Sequence, residues 1–213
     1  MAYPTIDRPY GLQPINLIGG QVFAGATRQL PITTSAVNYA TAIFCGDVVQ
    51  LTTTGTVIVS TLAGQTSAVA GVVGVFLGCS YTNPSTKQKL FSQFWPGAAS
   101  GITDAEAYIC EDPDALFKVA SVGATANGSG LVIAPVQQAA LGENAVLVLN
   151  SGSTTTGNSA IGVYSAGTLT SLPMRIVDLV PDTAYVSSGN LVFPEVIVKF
   201  NFGYHSYYNA AGV

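Results

Sequence analysis

The chain has 213 residues, of which only 8% are charged and 48% are hydrophobic, with a formal net charge of −4 and a mean hydropathy of +0.43. That length allows one large all-β domain or two small ones around a real core. Seven basic residues scattered along the chain form no patch able to neutralise a run of phosphates, which argues against direct nucleic-acid binding.

The apolar composition does not read as a membrane protein. The longest apolar run, "SAVAGVVGVFLGC" at 67–79, has 13 residues and many β-branched ones, short of the roughly 20 that a spanning helix needs. At the N-terminus, Asp7 and Arg8 interrupt the place where an apolar signal core would begin. Membrane insertion and export by the usual route are therefore not expected. Polarity comes instead from Ser, Thr, Asn, Gln and Gly, neutral groups that cost less to desolvate than ions do. Lys and Glu, which interfaces avoid, number four each. Such a chain suits an assembly subunit covered by its neighbours.

In chain order, residues 1–31 are apolar and broken by Pro4, Pro9, Pro14 and Pro31, which predicts an extended arm with at most a short strand. From about 36, "YATAIFCG", "DVVQLTTTG", "TVIVST", "AGVVGVFLGCSYT", "KLFSQFWP", "DAEAYICED" and "ALFKVAS" read as strands separated by turn residues. They predict a small barrel or sandwich over 32–122. Residues 123–202 combine a Gly/Ser/Thr/Asn-rich excursion with the strands "AVLVLN", "LPMRIVDLVPD" and "LVFPEVIVKFNFG", either a second subdomain or part of the same one. "PVQQAALGEN" is the one candidate for a short helix, ending at Gly142. "GSTTTGNSA" reads as an exposed loop, and 203–213 as an aromatic, extended tail.

Candidate chemistry is sparse. His205 is the single histidine and sits among Tyr204, Tyr207 and Tyr208, where a stacking or capping role outweighs a catalytic one. Cys45, Cys79 and Cys110 lie in or beside apolar runs without metal-ligand spacing, and read as buried thiols. The densest cluster of charge, "YICEDPDALFKV" at 108–119, has Asp112-Pro113-Asp114 between apolar strands, good chemistry for a turn. Pairing of its acids with an Arg or Lys of a neighbouring subunit, and a metal site, are the alternatives. No catalytic residue, cofactor or metal is assigned.

"YGLQPINLIGG", "YATAIFCGDVVQL", "VVGVFLGCSYTNPSTKQKLFSQFWP", "AYICEDPDALFKV", "LGENAVLVLNSGSTTTGNSA", "LPMRIVDLVPD" and "EVIVKFNFGYHSYYNAAGV", in this order, resemble the head decoration (cement) proteins of tailed bacteriophages, especially those of marine and cyanobacterial short-tailed phages. The resemblance spans nearly the whole chain, departing at "PDTAYVSSGNLVF", where a more charged segment is expected. It implies a non-enzymatic β-rich protein, made in the host bacterial cytoplasm and carried on the outer surface of the virion. There it would bind the major capsid protein as a homo-oligomer, with a trimer as first choice. Another coat, tail or fibre component is the alternative. The apolar residues of the two ends make the interface candidates: Tyr3, Ile6, Tyr10, Leu12, Ile15, Leu17, Ile18 and Phe23, then Tyr204, His205, Tyr207 and Tyr208. Trp95 in "LFSQFWP" is either core or an interface anchor.

Overall fold

The computed structural model describes residues 6–33, 41–60, 72–97, 101–123, 136, 138–168, 172–183 and 193–208. In chain order the strands are β1 (Gln13–Leu17), β2 (Arg28–Pro31), β3 (Val48–Leu51), β4 (Val57–Val59), β5 (Val72–Thr82), β6 (Lys89–Ser92), β7 (Glu106–Cys110), β8 (Ala115–Ala120), β9 (Asn144–Val148), β10 (Gly162–Gly167), β11 (Met174–Leu179) and β12 (Glu195–Phe200). They form two six-stranded antiparallel sheets, an all-β, sandwich-like body. The first sheet runs β1-β8-β12-β11-β9-β10; the second runs β2-β7-β5-β3-β4, with β6 added to β5.

The alternating strands behave as their pattern dictates. In β8, Ala115, Phe117 and Val119 point inward, and in β12 so do Val196, Val198 and Phe200. Strand β5 is buried on both faces. Val72 and Val75 join the core under the first sheet, while Val73, Phe76 and Cys79 enter a second core with Trp95, Ile43 and Ile109. Gly74, at φ +153°, permits the close approach of β5 to β7, since a Cβ there would lie 2.1 Å from the Cys110 carbonyl oxygen. Both sheets curl without closing into a barrel. A bridge from Ile32 to Val57 draws the ends of the second together, and in the first one from Ser121, just past β8, to Val163 brings β10 back to the sheet's second strand.

The body is larger than the stretch 32–122. Where described, residues 1–31 are not an extended arm: β1 pairs with β8 in the first sheet and β2 with β7 in the second. The β7–β8 connection crosses from one sheet to the other, and the N-terminal segment supplies the outer neighbour that each of these strands lacks. Pro14 and Pro31 fit because both strands are edges, where proline is tolerated. Likewise β8, at the end of 32–122, lies between β1 and β12, so the expected divisions share one sheet. Residues 203–208 are not a free tail either. They turn back, bridge His205 to Val72 and end in a single 3-10 turn, Ser206–Tyr208. The expected short helix is one 3-10 turn at Gln138–Ala140, and β10 is a strand inside the Gly-rich excursion.

Candidate functional site

The acidic stretch at 111–114 folds as a turn, and it organises one pole of the molecule. Ala115 N–H donates to the Asp112 carbonyl at 3.1 Å, and Asp114 N–H donates to Asp112 Oδ1 at 2.8 Å. Glu111 Oε2 accepts from Arg28 Nη1 at 3.1 Å and from Tyr207 OH at 2.8 Å, while Arg28 also donates to Tyr207 OH at 2.7 Å. Asp114 Oδ1 accepts from Lys199 Nζ at 2.6 Å and from Tyr208 OH at 3.5 Å, and its carbonyl accepts Ile18 N–H at 3.0 Å. The cations that meet these acids thus belong to the same chain. Segments far apart in sequence, around 18, 28 and 199–208, converge on four residues.

His205 packs beneath this turn and is fully buried. Its ring lies 5.9 Å from Phe200, 5.1 Å from Tyr207 and 6.4 Å from Tyr208, centroid to centroid. Nδ1 accepts the Tyr207 N–H at 3.3 Å, while Nε2 is buried without a hydrogen-bond partner among the described residues. Burial pushes the imidazole pKa down, outweighing the backbone oxygens of Glu111 and Val73 and the charges of Glu111 and Asp112. A neutral ring that stacks and caps is the role this geometry gives it.

Above that base the surface is apolar and aromatic. Phe202 is 80% exposed, Val22 75%, Ile18 52% and Tyr207 51%. Phe202 stacks on Tyr208 with centroids 6.1 Å apart and planes 23° apart. Of the predicted interface residues, the structure brings Ile18, Tyr207 and Tyr208 together here. It withdraws others: Leu12, Trp95, Tyr204 and His205 are buried, and so cannot meet a partner. Trp95 is core, edge-on to Tyr81 at 5.2 Å. Ile6, Tyr10, Ile15, Leu17 and Phe23 are half-buried against the body, and Tyr3 lies outside the described residues. Sequence reasoning missed Phe202 and Val22. Period two carried past the end of β12 would put Phe202 on the same inward face as Phe200, but the chain turns at Asn201.

Elsewhere, a cavity of about 530 Å³ is lined by Phe44, Val59, Leu149, Ile161, Asp47 and Asn150. Asp47, its carboxyl pKa raised by burial, is already engaged by Phe44 N–H at 2.8 Å, so it fastens the 44–47 turn. Burial pushes the thiols of Cys79 and Cys110 up to about 12 and about 11. Among the described residues no group of three or more His, Cys, Asp or Glu is placed to hold a metal ion, and no helix is long and apolar enough to cross a membrane. No protein family, curated protein or solved structure matches the chain.

Proposed function

We propose that this protein is a structural, non-enzymatic subunit of a tailed-phage head, a decoration protein that docks on the outer surface of the shell against the major capsid protein. The observation that carries the reading is the aromatic pole itself. Ile18, Phe202, Tyr207 and Tyr208 stand in water while the turn beneath them is fastened by hydrogen bonds and ion pairs. Large exposed apolar groups on a fixed frame lose little conformational freedom when covered, which favours binding. The low charge of the chain keeps desolvation of the surrounding surface cheap, and many copies on one shell multiply weak contacts. The resemblance of the ordered sequence blocks to phage cement proteins supports the shell as the partner.

The test is co-sedimentation of the Phe202→Ser/Tyr208→Ser double variant with heads stripped of decoration. Aromatic anchors of this kind are worth about 2 kcal/mol or more in total, so binding is expected to weaken more than about tenfold at an unchanged melting temperature. Unweakened binding removes this surface from the interface.

A further inference from the structure

A sheet edge offers backbone N–H and C=O groups to any extended chain, and proteins block their edges accordingly. Most edges here are blocked. Strand β1 carries Pro14 and a bulge, and its far end is occupied where Leu17 N–H bonds the Gln21 carbonyl at 2.8 Å. In β2 the outward-facing positions are Gln29 and Pro31, because Ile32 N–H points to the Ala105 carbonyl at 2.9 Å, and Pro31 has no N–H to offer a further strand. Strand β4 is covered by Thr33, whose N–H reaches the Val57 carbonyl at 3.2 Å, and β10 by Val122, which reaches the Val163 carbonyl at 2.9 Å.

Strand β6 lacks such a cover among the described residues. Its register with β5 pairs Lys89 with Thr82, Leu90 with Tyr81 and Phe91 with Ser80. The Gln88 carbonyl accepts Asn83 N–H at 2.9 Å, so Gln88, Leu90 and Ser92 turn their backbone groups to β5. Lys89 and Phe91 therefore turn theirs outward. The Phe91 side chain is 76% exposed. The strand enters from a fixed turn: Lys87 N–H bonds the Asn83 carbonyl at 2.8 Å, and Lys87 holds a left-handed φ of 59°. The edge is thus presented already extended.

We propose that β6 pairs antiparallel, about a twofold axis, with β6 of a second copy of this chain. The occupant follows from the self-complementarity of Lys89–Ser92. With the axis at Leu90, Lys89 of each copy stands opposite Phe91 of the other, and the outward groups of both residues form two hydrogen-bonded pairs. Each ammonium then meets an exposed ring instead of a like charge. Lys89 is further balanced by Asp104, 3.4 Å away in its own chain. Any such contact closes at two copies, unlike the trimer that the family resemblance suggests. A four-residue pairing buries less than the roughly 1,200 Å² of a stable interface, so the dimer is weak and forms at high concentration or where copies are held close.

The pairing makes Leu90 and its copy a non-hydrogen-bonded pair, with Cα atoms about 4.5 Å apart, within disulfide reach. The full chain carrying Cys45→Ser, which removes the half-buried native thiol, is given either Leu90→Cys or Phe91→Cys and oxidised mildly at high concentration. Leu90→Cys is expected to form a covalent dimer at least ten times faster than Phe91→Cys. In sedimentation equilibrium the unaltered chain is expected to show a monomer–dimer mass. Phe91→Pro, which removes an outward N–H but no bond to β5, is expected to stay monomeric. Absence of the Leu90→Cys dimer, faster linkage of Phe91→Cys, or a dimer that survives Phe91→Pro overturns the proposal. Because the isolated protein is used, this result is read separately from docking on a shell.

Discussion

Tyr10, Glu195 and Lys118 on one part of the molecule, and Tyr207, Glu111 and Arg28 on another, are the same trio of phenol, carboxylate and cation in two settings. In the first, Tyr10 OH donates to Glu195 Oε1, Lys118 Nζ lies 3.2 Å from that oxygen and 5.8 Å from the Tyr10 ring centre. Thr183 completes it, accepting Glu195 N–H at 3.0 Å. In the second, the groups stand in water: the side chains of Arg28 and Glu111 are 52% and 27% exposed, against 5% for Glu195. Each trio ties a terminal segment to the body. Burial, not residue type, sets what each is worth, so the buried trio is a clamp and the exposed one positions a surface.

The largest expected effect is therefore at Glu195. Replacing it with Ala leaves Lys118 without its carboxylate and the Tyr10 hydroxyl without its acceptor in a buried place. We expect a loss of about 3 kcal/mol, the low end for breaking a buried pair, because Lys118 keeps a third of its side chain in water. Urea unfolding at neutral pH measures it; a loss below about 1 kcal/mol would dissolve the contrast between the trios.

Part of this organisation is written locally and part is not. The alternation in "ALFKVAS" and "EVIVKF" gives β8 and β12 directly, and the acids and proline at 112–114 give the turn. The strands β1 and β2 hide behind prolines that only an edge position tolerates, and β10 hides in a Gly/Ser-rich run that reads as loop. The pole is harder still. Glu111 finds partners 83 and 96 residues away, and no local pattern encodes those distances. The tail aromatics were visible, but which of them face water follows from one 3-10 turn that buries Tyr204 and His205 and leaves Tyr207 and Tyr208 outside.

Next in size come two pH dependences, one from each region. Burial, then the hydrogen bond and charge of Glu195, raises the Tyr10 pKa above its ordinary 10.0. The folded chain keeps that phenol protonated while the unfolded chain begins to ionise it near pH 10, so this stabilisation is lost as pH rises beyond 10. His205 is the reverse. Its pKa is lowered from 6.5, so the unfolded chain takes up the proton first, and stability present above pH 6.5 is lost as pH falls below it. Each slope is at most about 1.4 kcal/mol per pH unit for one proton. Unfolding midpoints across pH are expected to flatten on the alkaline side in Tyr10→Phe and on the acid side in His205→Leu. Slopes unchanged in those variants would assign the titrations to other groups.

The smallest effect separates the trios most sharply. Arg28→Ala removes the cation of the exposed set, leaving Glu111 free to turn to water, so stability is expected to change by no more than about 1 kcal/mol. Raising salt from low to physiological levels screens an exposed pair, and is expected to shrink even that difference. The same salt step is expected to leave the Glu195→Ala deficit nearly intact, since buried charges are screened far less. Comparing the two variants at both salt levels therefore sets an exposed ion pair against a buried one. A salt-insensitive loss at Arg28 as large as that at Glu195 would mean that the pole is a structural clamp in its own right. The exposed aromatics above it would then be by-products of packing, and their reading as a docking surface would lose its footing.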